Sequence, residues 1–371
     1  MRGGWRWLVV LVGLALLVST PPVIARWPVP ASDDGATRLL ARVQASIDTP
    51  YSGYAQSVGG VVLPATSALG GLPDLLGGTT TLRAWYRGPA DWRVDTIQLA
   101  GERDLYRSAS GMWSWDYEAN TAVLTPLPEP SLRLPRAGDL LPTTLGHRLL
   151  SEARPEEVTR LPTRRVAGRD APGLRVVPAE RQSTVREVDV WVDPGTGLPL
   201  RVDVLGAGSA RPVVSTAFLD FSAATPDAAT TRFTPPPGSN VQQRAGTDIA
   251  SFADRIDAVA LPASIDGLPR KRRGLGGSAG GSTAGSVGVY GRGVTILVAA
   301  PLPRRAAASL LDQLRRSPGA EVDDTGVALA VGPLSLRVTT PVGDGRSYLL
   351  AGTVTPDTLT SAAQLLTTGA R

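Results

Sequence analysis

Alternating apolar and polar positions dominate this chain, most clearly between Val185 and Gly238. Val188, Val190 and Val192 alternate with Asp189, Trp191 and Asp193, the period of two that sends successive side chains to opposite faces of a strand. Asp193-Pro194-Gly195-Thr196-Gly197 supplies a turn, after which Leu198, Leu200, Val202 and Val204 alternate with Pro199, Arg201 and Asp203. A second turn, Gly206 to Ser209, leads into a third run from Val213 to Phe221. Short turns join only antiparallel neighbours, so three consecutive antiparallel strands are expected. Three prolines after Phe233 and Thr234 then stop strand pairing.

The same pattern predicts strands over 79–87, 91–99, 102–108, 112–118 and 121–127, separated by Gly-Pro, Ala-Gly, Ser-Gly and Ala-Asn turn signals. That spacing is an up-and-down meander rather than a set of βαβ units. Before it, Ser32-Asp33-Asp34 can cap a helix running to about Ile47, with Leu39, Leu40, Val43 and Ile47 on one face. A strand over 53–63 follows, broken at Gly59-Gly60. Residues 65–78 read as an apolar loop, either a flap or simple packing. Residues 139–153 predict a helix interrupted by Pro142 and Gly146; 154–169 read as an exposed arginine-rich connection into a strand at 173–177.

Two patterns carry a family resemblance. One is the strand–turn–strand Trp191-Val192-Asp193-Pro194-Gly195-Thr196-Gly197-Leu198-Pro199-Leu200-Arg201. The other is a strand ending in Phe218-Leu219-Asp220-Phe221, followed from Pro226 by Thr231, Phe233, Pro235, Pro236 and Gly238 at fixed spacing. Together they resemble the LolA/LolB-like lipoprotein-carrier superfamily, and in layout its RseB/MucB type of extracytoplasmic sigma-factor regulator. The resemblance implies a mainly β, α+β protein. Its curved, half-open antiparallel sheet, an incomplete barrel, is covered by helices on the concave side. The apolar cavity between them takes an acyl chain or lipoprotein.

Beyond Gly238 a helix is expected over 242–257, then a basic cluster, Arg270 to Arg273, and a Gly/Ser-rich linker reaching Ser286. The cluster is a solvated charge run or a contact for anionic headgroups at the cytoplasmic membrane surface. From 287 to 371 strands at 294–300, 327–331, 334–342 and 347–354, a helix at 304–316 and a last helix opening on Thr355-Pro356-Asp357 make a small α+β unit. It resembles the C-terminal domain of the RseB/MucB type. The resulting division is 1–25 leader or anchor, 31–240 LolA-like domain, 241–286 helix and linker, and 287–371 C-terminal unit.

Residues 1–25 combine Arg2 and Arg6 with an apolar core at 8–18. That core is shorter than the roughly 20 residues a bilayer span requires, which favours a cleaved signal over an uncleaved anchor. Either way the remaining chain works in the extracytoplasmic envelope. The sequence has no cysteine, which removes disulfides, thiolate metal sites and a lipidated cysteine. Its 38 Lys and Arg against 33 Asp and Glu leave a formal charge of +5, spread along the chain, so nucleic acid is not an expected partner.

The candidate ligand-binding positions are Leu82, Trp92, Val94, Trp113, Trp115, Tyr117, Val190, Leu200 and Phe218. Trp113, Trp115 and Tyr117 share one face by alternation, and a face free of charged residues bordering the cavity is expected there. The alternative is core beneath a helix. His147, the only histidine, has no second metal ligand or adjacent nucleophile in sequence, and Gly276-Gly277-Ser278-Ala279-Gly280 lacks the strand and helix a nucleophile elbow requires. No catalytic residue, metal or cofactor is expected, so the chain reads as a binder rather than an enzyme. The functional expectation is a lipid- or lipoprotein-binding sensor of envelope stress that meets the extracytoplasmic domain of an anti-sigma factor. A lipoprotein carrier, a structural envelope protein without ligand and an envelope hydrolase are the alternatives.

Overall fold

A computed structural model describes residues 34–61, 71–98, 101–127, 133–246, 261–271, 286–341 and 346–368. The leader or anchor, the first part of the apolar loop, the helix expected beyond residue 246 and the Gly/Ser run lie outside them. Among the described residues no helix is long and apolar enough to cross a membrane.

The alternating runs form twelve strands: β1 (Tyr51–Gly59), β2 (Thr79–Gly88), β3 (Asp91–Gln98), β4 (Gly101–Ser108), β5 (Gly111–Asp116), β6 (Thr121–Pro126), β7 (Val158–Val166), β8 (Arg169–Val176), β9 (Val185–Val192), β10 (Pro199–Gly206), β11 (Val214–Ser222) and β12 (Asn240–Gln243). They build one curved, open sheet in the order β12-β6-β5-β4-β3-β2-β1-β11-β10-β9-β8-β7. Every pairing is antiparallel except that of β12 with β6. The β9–β10 turn shows why the motif forms: the Asp193 carboxylate accepts from Thr196 N and Oγ1, each at 2.8 Å, and Gly197 takes φ +79°.

Three helices cover one face: α1 (Ala36–Ala45), α2 (Leu72–Gly77) and α3 (Pro142–Leu150). Leu39, Leu40 and Val43 of α1 pack with Val188, Val190, Val192 and Val202. Alpha-helix α1 stops at Ala45, so Ile47, expected inward, is 55% exposed; no side chain caps its start, and Asp34 instead pairs with Arg38 and Arg42. Helix α3 lies close on β10 because Gly146 faces Pro199: a Cβ there would come within 2.6 Å of the proline ring.

Two sequence expectations are corrected. The arginine-rich stretch after Arg154 is an edge strand, β7, whose polar residues and Pro162 suit an edge that hydrogen-bonds on one side. Residues 240–243 begin no helix but pair with β6.

A short hairpin, β13 (Ser264–Ile265) and β14 (Leu268–Pro269), precedes a second sheet. That sheet contains β15 (Gly288–Arg292), β16 (Thr295–Leu302), β17 (Glu321–Asp323), β18 (Gly326–Val331), β19 (Leu334–Thr339) and β20 (Ser347–Gly352), ordered β15-β16-β20-β19-β18-β17. Helices α5 (Arg304–Arg315) and α6 (Pro356–Thr368) take one face each; α4 is a single turn, Ala228–Thr231, in the first sheet's region. The two sheets touch. Arg292 pairs with Glu157 and, at 2.7 Å, with Glu180, Lys271 reaches Glu152 at 2.7 Å, and Ser183 bridges to Val354.

Candidate functional site

Residues opposed in an antiparallel pair share a face, so the register assigns each candidate residue a side. Leu82 and Thr96, Ala84 and Val94, and Tyr86 and Trp92 oppose one another on β2 and β3. Ala55 opposes both Leu82 and Phe218, and Val202 opposes Val190. Leu82, Trp92, Val94, Leu200 and Phe218 meet in one cluster beneath the helices, and Val190 belongs to the neighbouring cluster under α1. Leu82, Val190 and Leu200 are 0% exposed and Phe218 1%, so no water-sized void touches the first three. The inner face is close-packed core in this structure.

Trp113, Trp115 and Tyr117 are elsewhere. Val94 opposes Leu105, and Leu105 opposes Ser114; Tyr106 and Asp104 oppose Trp113 and Trp115. The tryptophans therefore occupy the face away from the helices, where Trp115 and Tyr106 are buried with Ala122 and Phe233. Phe233 stacks on Tyr106 at 4.7 Å and tilts against Trp113 and Trp115, while Tyr117 is 51% exposed. The expectation that these three border the same space as Leu82 is corrected: parity puts them across the sheet, and their cover comes from a segment over a hundred residues away in sequence.

Nor is that face uncharged. Next to the tryptophans, Arg93 donates to Asp95 at 2.8 Å and to Asp104 at 3.1 Å, and lies 3.8 Å from Glu102. Its guanidinium sits over the rings of Trp85 and Tyr106, at 5.1 and 4.9 Å. Tyr106 donates its hydroxyl hydrogen to Asp104 at 3.0 Å. Asp95 and Asp104 are 1% and 0% exposed, and Oδ1 of Asp104 has no hydrogen-bond partner. Burial, then the charge of Asp95, pushes Asp104 up to about 7; burial also raises Asp95 and the Tyr106 phenol. The carboxylates of Asp95, Glu102 and Asp104 converge within 4.8 Å, the spacing of a metal site. Arg93 lies against those oxygens, so its guanidinium already offsets part of the cluster's negative charge. The readable signal was acid and base at period two, Arg93-x-Asp95 and Glu102-x-Asp104-x-Tyr106, within interior strands of the meander.

His147 has a hydroxyl partner after all: its Nε2 lies 2.9 Å from Ser46 Oγ. Ser46 is 3% exposed and also faces the Val43 and Gly197 carbonyls at 2.9 and 3.2 Å. Burial drives His147 down to about 4. A neutral imidazole and a buried hydroxyl shared among backbone carbonyls pin the end of α1 to α3 and to the β9–β10 turn.

Two open grooves lie among the described residues. One, of about 480 Å³, is lined by Ser52, Tyr54, Arg83, Trp85 and Asp220 on the tryptophan-bearing face. The other, of about 600 Å³, lies between the β7–β8 hairpin tip and Arg201, Ala217, Phe218 and Leu219.

No protein-family model and no curated protein matches this chain. Among solved structures it is similar to MucB in the Pseudomonas aeruginosa MucA/MucB complex, with 16% identity, 88% of this chain and 96% of that one covered, and a TM-score of 0.49. MucB without its partner gives 14% identity, 90% and 96% coverage and a TM-score of 0.45. A LolA superfamily protein from Nitrosomonas europaea gives 13% identity, 54% and 98% coverage and a TM-score of 0.23. An open antiparallel sheet with helices on one face and a small α+β unit behind it is the architecture that the sequence resemblance to the LolA/LolB-like superfamily, in its RseB/MucB layout, implied.

Proposed function

We propose that this is an exported binding protein that holds an acyl chain, free or on a lipoprotein, between the helices and the inner face of the large sheet. Its second sheet serves a protein partner, the extracytoplasmic domain of an anti-sigma factor, so that lipid occupancy reports envelope stress. The observation that carries the reading is the inner face itself: Leu82, Val94, Val190, Leu200 and Phe218 are apolar across the curve of the sheet, and short helices rather than a second sheet cover them. A cover such as α2, six residues long, can shift to admit a chain without breaking the sheet. The reading includes no turnover; Ser46 and His147, the one hydroxyl–imidazole pair among the described residues, are engaged in tying α1 to α3.

One observation favours a second reading, a structural envelope protein without ligand: the inner face leaves no water-sized void against Leu82, Val190 or Leu200. Mass spectrometry of protein purified under native conditions separates the two. Co-purifying lipid, or saturable uptake of a fluorescent fatty acid, supports the first; a lipid-free protein that takes up none supports the second. Product formed from a lipid ester and lost in His147→Ala would overturn the binder reading.

A further inference from the structure

The groove at the β7–β8 hairpin tip joins two features. One is a cationic rim. Of the arginines lining it, Arg165 pairs with Asp170 at 2.9 Å and Arg201 with Asp203 at 3.0 Å. Arg164 has no carboxylate and no hydrogen-bond partner among the described residues; its guanidinium lies 4.5 Å over the Trp191 ring, with Arg201 over the same ring at 5.8 Å. The rim therefore carries one positive charge with no carboxylate against it, on an exposed planar guanidinium that rests on the Trp191 ring. A register shift between Leu161 and Arg164 re-aims that side chain, and Ala167 adopts φ +49° to complete the hairpin.

The other feature is the wall. Phe218 lines the groove and at the same time packs in the inner cluster, its ring 5.8 Å from Tyr51 and 5.3 Å from Phe221. Leu219, next to it, is 55% exposed at the irregularity where β11 shifts register against β1. One aromatic ring thus separates a singly charged rim from the apolar core beneath the helices. The groove volume, about 600 Å³, lies within the range of sites for small amphiphiles.

We propose that this groove is the docking site for the head of a monoanionic single-chain amphiphile, with Arg164 binding the anion and the chain passing Phe218 toward the inner face. This rests on the lipid-binding reading above. A carboxylate and a phosphodiester both supply one negative charge, and both accept two hydrogen bonds from a guanidinium fork. A neutral head forfeits that interaction and a second negative charge has no partner on the rim.

The test is a calorimetric titration of the full chain with laurate, lauryl alcohol and a lauroyl lysophosphatidylglycerol. The expected result is binding of at least one anion about tenfold tighter than the alcohol, the size of one charge-assisted hydrogen-bonded contact. Arg164→Gln should abolish that preference and leave alcohol binding unchanged, while Arg164→Lys, which keeps the charge but loses the two-donor fork, should retain only part of it. Whether laurate or the phosphodiester binds tighter identifies the head. Equal binding of anion and alcohol, or a preference that survives in Arg164→Gln, would overturn the groove assignment and leave the lipid reading standing. No binding of any of the three would overturn the lipid reading and this proposal together. A melting curve for each variant matching that of the parent keeps the comparison free of folding effects.

Discussion

Asp95 and Asp104 stand directly opposite each other on β3 and β4, and a single guanidinium, Arg93, donates to both carboxylates. Burial first, and then the charge of Asp95 facing it, pushes Asp104 up to about 7 despite the guanidinium between them. The pair is expensive to bury, and replacing such groups by well-packed apolar residues is often neutral or stabilising.

Asp104 and His147 act on stability in opposite directions. The folded value for Asp104 lies above that of an unfolded aspartate, so its contribution is complete in acid and is lost as pH rises through about 7. The folded value for His147 lies below that of an unfolded histidine, so its contribution is complete above about 6.5 and is lost as pH falls toward 4. Between about pH 6 and 8 the parent protein should lose stability while Asp104→Asn does not. Below about pH 6 the variant should fall more steeply than the parent, because His147 is no longer opposed. Urea midpoints across this range decide it: parallel curves for the two proteins would mean Asp104 binds no proton near neutrality.

Truncation separates buried from exposed aromatics irrespective of face. Phe218→Ala and Trp115→Ala, at 1% and 4% exposure, should each cost roughly 3–5 kcal/mol. Tyr117→Ala, 51% exposed, should cost about 1 kcal/mol or less. Denaturant melts of the three variants check this; a Tyr117 cost equal to that of Trp115 would contradict the placement.

Arg292→Ala should leave Glu157 buried without its cationic partner and with only the Arg154 and Ala179 backbone donors, since Glu157 is 6% exposed and is held low chiefly by the guanidinium after burial is overcome. The expected cost is about 3 kcal/mol, with the two sheets unfolding in separate calorimetric transitions where the parent shows one. Arg292→Ala in a Glu157→Ala background should cost much less, because the stranded charge is gone.

Cleavage at a protease site engineered between residues 272 and 285 should leave the two sheets associated on a sizing column. The ion pairs of Arg292 with Glu157 and Glu180 and the bridge from Ser183 to Val354 hold them. Release of two separate pieces, which the Gly/Ser composition alone suggests, would show those contacts too weak to hold at assay concentration.

Local signals carried much of the fold. The meander strands begin and end within two residues of where alternation and turn residues place them, because hairpin register is set by nearby chemistry. The inner-face apolar residues, Leu82, Val94, Val190, Leu200 and Phe218, were legible for the same reason. Facing was not. Trp113 and Trp115 read as pocket residues because both sides of β5 carry apolar groups, Met112 on one and the tryptophans on the other, and nothing local tells which side the helices take. Edge strand β7 hid behind its arginines, and β12 behind a parallel pairing with β6 that no turn announces. The contact of Ser46 with His147 and the cover of Phe233 over Tyr106 are likewise set by chain segments far apart in sequence.

The place of β1 in the sheet bears on how the chain comes together. Its one edge pairs with β2, the next strand to be made, but its other edge pairs with β11, where Ser52 meets Ser222 and Gly59 meets Val214. A growing chain can zip the meander from β1 to β6 by short-range steps, yet β1 keeps an open edge until residue 222 is available. Closing so long a loop before any contact rewards it makes this pairing a natural slow step. Until it closes, Tyr51 and Ala55 lie along an unpaired edge that invites strands from other molecules. Substitutions on β11 that weaken its grip on β1 should therefore lower the yield of folded protein well before they show in its melting temperature.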